Sequence, residues 1–522
     1  MSPSMTWGDV IERNAQLYPQ QEAVVFEGRR HSHHEFAALV RRSVQALAAL
    51  GLARQGRIAI LAKNSPEYLA LYLAAGMAGF TAVGINYRLS VAEQAEILAD
   101  CEPQVFFFDA EHAQAAATLM PQLPGHTHRV CLDGSVSGVL TWADALAGAS
   151  DALPTERAQP EDTLLMIYTS GTTGRPKGVM LSNEGMLETA REYALAQGAR
   201  PTDRMLVVMP FYHIGGPGQL LTYLLMGATI VLHRQFDAAR VLQSIEDEKV
   251  SAAHFAPTMI QMLLDEQERQ PRQVASLQTV CYASAPMSVA LSKRARAAFG
   301  EIFVQIYGMT EQGIGTMLHK HQHFDEGTPE QVGRLASAGQ AFLGTQIKIV
   351  RDDGSACTAM ESGEICTRSK ALMQGYWRKP EATAQAIQGA WMHTGDVGYL
   401  DHEGYLFVQD RKKDMIISGG ENIYSREVEE ALLLHPSVSE AAVIGVPDAK
   451  WGETVKAFVA FKSGQSVSAT ELQSHCRSLI AHYKCPRSVE VMVALPRILS
   501  TNKIDKRALR APYWPASGRQ VA

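Results

Sequence analysis

A chain of 522 residues exceeds the roughly 250–300 at which one hydrophobic core stops growing, so two or more domains, with room for a cleft, are expected. Its 46% hydrophobic and 20% charged residues exclude a disordered chain and a fibrous repeat. With 48 Lys and Arg against 54 Asp and Glu, a formal charge of -6, it has no polybasic surface for nucleic acid, and a phosphate-rich ligand must be held by local groups.

The segment from Met1 to Asn14 contains Asp9, Glu12 and Arg13 and no apolar h-region, so no secretory signal is expected. The cysteines (Cys101, Cys131, Cys281, Cys357, Cys366, Cys476, Cys485) form no C-x-x-C pair, which argues against a disulfide framework or zinc site and for a reducing cytoplasm. Apolar runs at Arg57–Ala62, Val105–Phe108, Met205–Met209, Thr229–Leu232 and Val280–Ala283 alternate with helical periodicity and predict an α/β layered fold with largely parallel sheets. From Tyr68 to Ile85 the chain is uncharged, near the lower limit for a membrane span; Gly76, Gly79 and Gly84, with Thr81 and Val83, predict instead a buried helix breaking into a core strand. No integral membrane segment is expected.

After residue 340, Gln346–Val350, Gly363–Thr367, Tyr399–Leu400 and Tyr405–Val408, set off by Gly and Asp turns, predict an antiparallel region. The charged run Asp410 to Asp414 has no apolar residue to pack and marks a boundary. Beyond it, a helix over Ser425–Leu434, strands at Glu440–Ile444 and Val455–Phe461 and a helix over Ala469–Ala481 suffice for a small α+β domain. His31-Ser32-His33-His34 and His319-Lys320-His321-Gln322-His323 lack spaced carboxylate or cysteine partners and read as surface segments rather than metal sites.

Tyr168-Thr169-Ser170-Gly171-Thr172-Thr173-Gly174-Arg175-Pro176-Lys177-Gly178 follows an apolar strand, Leu164–Ile167. Its glycines let backbone N–H groups approach phosphate oxygens, its hydroxyls add donors, and Lys177 supplies a point charge. A polyphosphate ligand is implied, although the Gly-Lys-Ser/Thr of a Walker A loop is absent.

With the following Ser182-Asn183, this loop resembles the signature of the adenylate-forming superfamily, which includes acyl-CoA synthetases, nonribosomal-peptide adenylation domains and beetle luciferases. In family order the chain also carries Met209-Pro210-Phe211-Tyr212-His213, Ile306-Tyr307-Gly308-Met309-Thr310-Glu311, Trp391-Met392-His393-Thr394-Gly395-Asp396, Asp410-Arg411-Lys412-Lys413-Asp414 and Asn502-Lys503-Ile504-Asp505-Lys506. The resemblance implies a large N-terminal domain (1–410) of layered α/β subdomains with a distorted β-barrel, a hinge at 411–413, and a small mobile α+β C-terminal domain (414–522). It implies an AMP- and diphosphate-forming acid–thiol ligase that uses ATP, Mg²⁺ and coenzyme A, and homodimer formation is compatible with it.

The resemblance also assigns roles. Thr169 to Gly174 with Lys177 match the phosphate loop, Glu311 the Mg²⁺-associated acid and Thr310 the hydroxyl on the α-phosphate. Asp396 and Arg411 match the ribose contacts. Ser284 and Ala285, in Tyr282-Ala283-Ser284-Ala285-Pro286, match the adenine-lining backbone, although the usual glycine-rich form of that segment is missing, and Tyr307 and Gly308 are likewise expected to bind the cofactor. Lys503 matches the lysine that bridges acyl carboxylate and α-phosphate; Asn502 stands where many relatives have glycine and can still take a left-handed turn. Lys413 matches the hinge about which the small domain rotates between the two half-reactions. Gly419 and Gly420 would then flank the pantetheine tunnel. Arg88, Trp451 and Arg487 resemble CoA nucleotide contacts of aryl-CoA ligases, with Cys485 replacing a basic residue of some relatives. His213 matches the guard of the acyl pocket.

That pocket is expected between His213–Gly218, His254–Thr258 and residues near Ser284, Tyr307 and Ile314. Small residues there leave room and nothing there offers an acidic partner for an ammonium group, which favours an uncharged tail of benzoate, hydroxycinnamate or fatty-acid type. An enzyme that loads a carrier protein and a luciferase-like monooxygenase share the adenylation step. With seventeen residues after Asp505 no appended carrier domain is expected, and Gly419-Gly420 with Trp451 favour CoA.

Overall fold

The computed structural model describes residues 5–170, 176–285, 287–419, 421–448, 450–498 and 503–514. The chain divides into two compact units, Met1–Ile347 with Thr367–His393, and Lys348–Cys366 with Thr394–Ala522.

Among the described residues of the first unit, strands form two sheets. One is nine-stranded, and its central strands Arg204–Val207, Thr229–Leu232, Ala252–Phe255, Thr279–Tyr282 and Phe303–Met309 run parallel. The other is eight-stranded, with Arg57–Leu61, Thr81–Gly84, Val105–Phe108 and Thr163–Ser170 parallel at its centre. These strands read as unbroken apolar runs because both faces are covered, as parallel sheets require. The uncharged stretch resolves into a helix and a core strand. Ser65 Oγ accepts the Tyr68 N–H at 3.1 Å and Pro66 takes the first turn, so the helix Pro66–Ala78 begins there. It ends at Gly79, whose φ of 76° is the left-handed stop glycine permits, and Thr81–Gly84 follows buried throughout. No helix among the described residues is long and apolar enough to cross a membrane.

One buried group opposes folding. Glu192, on the helix Asn183–Gln197, is 4% exposed and neither carboxylate oxygen has a hydrogen-bond partner among the described residues. Burial first, and the Glu188 charge second, push it up to about 7. An unfolded glutamate titrates near ~4.3, so between there and about 7 the native state binds more protons than the unfolded one. Its contribution to stability therefore falls as pH rises through that window. Glu192→Gln is expected to raise Tm at pH 8 and barely change it at pH 5; equal shifts at the two pH values would contradict this origin.

The second unit contains a sheet in which Val438–Asp448 and Gly452–Phe461 pair antiparallel over their length, extended by Ile416–Ser418, Glu421–Ile423 and Ser488–Val491. The helices Ser425–Leu433 and Ala469–Leu479 supply Val428, Leu432, Leu472 and Cys476 to its core. The charged run is packed by polar partners. Asp410 Oδ2 accepts the Ser425 N–H at 2.6 Å, and Arg510 lies 2.6 Å from Asp414. A further antiparallel sheet is built from Gln346–Val350, Gly363–Arg368, Ile387–Gln388, Trp391–Leu400 and Leu406–Arg411.

Candidate active site

In open α/β sheets ligands bind beyond the carboxyl ends of the strands. In the nine-stranded sheet, the parallel strands deliver 208–218, 256–258, 283–285 and 310–312 to that edge. In the eight-stranded sheet, Thr81–Gly84 and Thr163–Ser170 run parallel, so Asn86–Arg88 and the end of the strand that carries Thr169 lie at one edge.

The strands Phe303–Met309 and Gly313–Leu318 form a tight hairpin, with Met309 opposite Gly313. Its geometry demands glycine twice: Gly313 has φ 70°, and a Cβ on Gly308 would meet the Gly313 carbonyl oxygen at 2.2 Å. Thr310 and Glu311 are thereby held at the tip, 8% and 6% exposed. Glu311 Oε1 accepts hydrogen bonds from the Tyr376 hydroxyl at 3.1 Å and Thr169 Oγ1 at 3.4 Å. Lys177, opposite Thr169 in the hairpin Thr163–Ser170/Pro176–Ser182, places Nζ 4.8 Å from the centre of the Tyr376 ring. Burial, with the nearby Glu311 charge, raises the Tyr376 phenol well above its ordinary value and keeps it a donor.

Thr169, Lys177, Thr310 and Glu311 thus come together, and sequence reasoning missed Tyr376. It lies in the two-residue strand Gly375–Tyr376, whose only visible signal is an aromatic beside a glycine. Among the described residues no group of three His, Cys, Asp or Glu could hold a metal. One buried carboxylate fits Mg²⁺, which keeps several waters and takes its other ligands from substrate phosphates.

Ser284 has φ 74°, a left-handed conformation uncommon for a residue with a Cβ, just past the end of Thr279–Tyr282. Ala285 beside it is exposed, Tyr307 is half-buried and Gly308 exposed. His213 Nδ1 accepts the Gly215 N–H at 3.1 Å and its carbonyl accepts the Gly216 N–H at 2.9 Å, which satisfies donors at the start of the helix Gly215–Met226. Arg88 is exposed, its guanidinium 5.9 Å from the Tyr87 ring, and Tyr87 meets Tyr212 edge-on at 5.2 Å.

In the second unit, Asp396 and Arg411 are register partners of antiparallel strands, with Arg411 Nε 3.3 Å from Asp396 Oδ1. Lys503 as a whole residue is exposed, yet its ammonium end is desolvated. Desolvation first, then Arg411, hold its pKa below the usual lysine value while Asp396 opposes them. Asp396, Arg411 and Lys503 are therefore electrostatic neighbours. Gly419, φ 61°, leaves no room for a side chain, since a Cβ would lie 2.7 Å from the Trp451 ring; the Arg487 guanidinium lies 5.3 Å from the centre of that ring. Lys413 is exposed. Gly171, Thr172, Thr173, Gly174 and Gly420 lie outside the described residues, as does the side chain of Ser170.

The histidine segments are not simply surface. His33 is 3% exposed with Nε2 2.9 Å from the Gly227 carbonyl oxygen, and His323 is 4% exposed with Nε2 3.0 Å from the Tyr282 hydroxyl.

A large α/β unit with hydroxyl, lysine and carboxylate groups gathered at strand ends, in one chain with a small α+β unit that carries an Asp–Arg–Lys cluster, defines an adenylate-forming enzyme. The chain belongs to the AMP-binding enzyme family, whose model matches residues 11–377, and the model of the AMP-binding enzyme C-terminal domain matches 427–501. It is 36% identical to a feruloyl-CoA synthase of Amycolatopsis sp over 96% of this chain and 98% of that protein. It is 35% identical to an indoleacetate–CoA ligase of Aromatoleum aromaticum over 97% and 98%. Among solved structures it is similar to the o-succinylbenzoate CoA synthetase of Bacillus subtilis in complex with its acyl-adenylate, TM-score 0.84 at 32% identity over 96% and 97%. It is an AMP-forming acid–CoA ligase, with a small-molecule acid, ATP and CoA as substrates.

Proposed function

We propose that this ligase activates a carboxylic acid with an uncharged aromatic or hydrophobic tail, in two half-reactions served by separate residue sets. The observation that carries the reading is the convergence of Thr169 and Tyr376 on Glu311, with Lys177 over the Tyr376 ring, although Thr169 and Glu311 stand 142 residues apart in sequence.

In the first half-reaction a carboxylate oxygen of the acid attacks the α-phosphorus of ATP, and the bond to the bridging oxygen breaks as diphosphate leaves with its electron pair. Thr169, Lys177 and the phosphate loop hold the departing phosphates, and Thr310 holds the α-phosphate. Glu311, oriented by Tyr376, is the protein ligand for Mg²⁺, which when bound neutralises phosphate charge. Lys503 balances charge on the acyl carboxylate and α-phosphate. Asp396 accepts from the ribose hydroxyls, and Arg411 fixes its carboxylate. In the second half-reaction the CoA sulfur attacks the acyl carbon and AMP leaves, with Gly419, Trp451, Arg487 and Arg88 receiving CoA and His213 bordering the acyl group. The tail class is supported by the small Gly215, Gly216 and Gly218 at the helix start and by the likeness to a feruloyl-CoA synthase and an indoleacetate–CoA ligase. Buried free thiols at Cys101, Cys131, Cys281, Cys476 and Cys485 support a reducing cytoplasm as its place of action.

A panel of aryl and fatty acids, assayed for AMP and CoA-thioester formation with diphosphate exchange in parallel, tests the reading. Exchange without any thioester would defeat it. Rotation about Lys413 between the two steps is part of the proposal. Proline at 413 fixes φ and removes an N–H, so Lys413→Pro is expected to slow thioester formation about tenfold or more while changing diphosphate exchange less than threefold. Equal losses in both steps would rule out a hinge there.

A further inference from the structure

The segment expected to line the acyl pocket carries a buried hydrogen-bonding atom with no partner among the described residues. His254 lies in the strand Ala252–Phe255, on the face opposite Ala253 and Phe255, which pack into a separate apolar cluster. It is 5% exposed. Nδ1 lies 3.0 Å from the Gly215 carbonyl oxygen, and a carbonyl only accepts, so Nδ1 carries the proton. Burial pushes the imidazole down to about 4, so the ring is neutral at physiological pH. Nε2 is therefore an acceptor, and it is buried with no hydrogen-bond partner among the described residues. Native proteins satisfy nearly all buried polar atoms, and the exceptions have a reason.

The surroundings point to a ligand. Gly215 follows His213, the proposed guard of the acyl pocket. A Cβ built on Gly215 would lie 3.2 Å from His254 Cε1, 3.3 Å from His213 Nδ1 and 3.2 Å from the Met209 methyl carbon. The glycine thus lets the two histidines and Met209 close in on one point, where a side chain at 215 would crowd all three. Three residues on, a Cβ at Gly218 would be 4.0 Å from the Tyr193 ring. The residues that meet here are mostly apolar around one fixed acceptor, the combination by which ligand pockets set specificity.

We propose that His254 Nε2 is a specificity determinant that accepts a hydrogen bond from a hydroxyl on the tail of the acid, so that the preferred substrates are hydroxylated aromatic acids rather than plain hydrocarbon ones. This rests on the ligase reading above. An acid without the hydroxyl occupies the same space and leaves Nε2 unpaired, so discrimination arises from the analogue's missing donor.

The test uses the full-length enzyme and paired acids that differ only in the donor: 4-hydroxycinnamate against 4-methylcinnamate, and 4-hydroxybenzoate against 4-methylbenzoate. Acid-dependent AMP release and thioester formation are both measured. We expect kcat/KM to favour the hydroxylated acid about tenfold or more in a pair the enzyme uses. His254→Phe should bring that ratio close to one, mainly by lowering the value for the hydroxy acid, and His254→Gln, which retains an acceptor oxygen, should keep part of the preference. A wild-type enzyme that uses both members of every active pair equally, or a Phe variant that keeps the wild-type ratio, would overturn the proposal. The wild-type ratio decides even if the Phe variant fails to fold. Absence of acid-dependent AMP release with every member would instead bring down the ligase reading on which it stands.

Discussion

Lys503→Ala is expected to lower acyl-adenylate formation by about 10²–10³-fold while leaving thioester formation from supplied acyl-AMP within a few fold of wild type. Attack of a carboxylate on the α-phosphate brings two anions together, and a positive charge at that point stabilises the transition state more than the separated reactants. Desolvation and the Arg411 guanidinium already hold the Lys503 pKa below its ordinary value, so the ammonium is poorly solvated and gains from an anionic ligand. Asp396 opposes that depression. Once diphosphate has left, the acyl carboxylate has become the uncharged carbonyl of a mixed anhydride and the need for this cation falls. Lys503→Arg restores charge on a planar, bulkier head and should recover only part of the first step. Diphosphate exchange and thioester formation from synthetic acyl-AMP, measured on one preparation, check the claim; losses of similar size in both would refute it.

The residues most legible in the sequence are those whose chemistry is dense and local. Glycines, hydroxyls and a lysine between Tyr168 and Gly178 announce a phosphate loop, and the apolar runs before such segments announce the parallel strands that end beside them. Groups that act through distant partners leave no such trace. Tyr376 matters because its hydroxyl reaches Glu311, 65 positions away, and an isolated aromatic in a two-residue strand does not reveal that. The run Asp410 to Asp414 reads as unpacked because its partners Ser425 and Arg510 come later in the chain. Lys506, tied to Ser425 across 81 positions, is hidden for the same reason. His33 and His323 read as surface because no metal-ligating partner is spaced near them in sequence, yet each meets a buried partner from far along the chain. In all these cases tertiary pairing decides the environment, and local composition carries little of it.

Glu311→Gln keeps the size of the side chain and an oxygen able to accept from Tyr376 and Thr169, so the hairpin tip should fold as before. What it removes is charge. A lone carboxylate that serves as the protein ligand of Mg²⁺ has no substitute within its own cluster, whose other members are the donors Thr169, Lys177 and Tyr376. We therefore expect kcat/KM for ATP in the diphosphate-exchange reaction to fall about 10²–10³-fold, with a raised Mg²⁺ requirement. Tyr376→Phe separates position from charge. It retains the ring beneath Lys177 and the Glu311 carboxylate but removes the hydroxyl that orients it, so its loss should be nearer tenfold and lie mainly in kcat. If Glu311 only filled space, Glu311→Gln would behave like wild type in both ATP and Mg²⁺ titrations. If Tyr376 acted on substrate directly, its variant would lose as much as the glutamine variant and show no change in Mg²⁺ dependence.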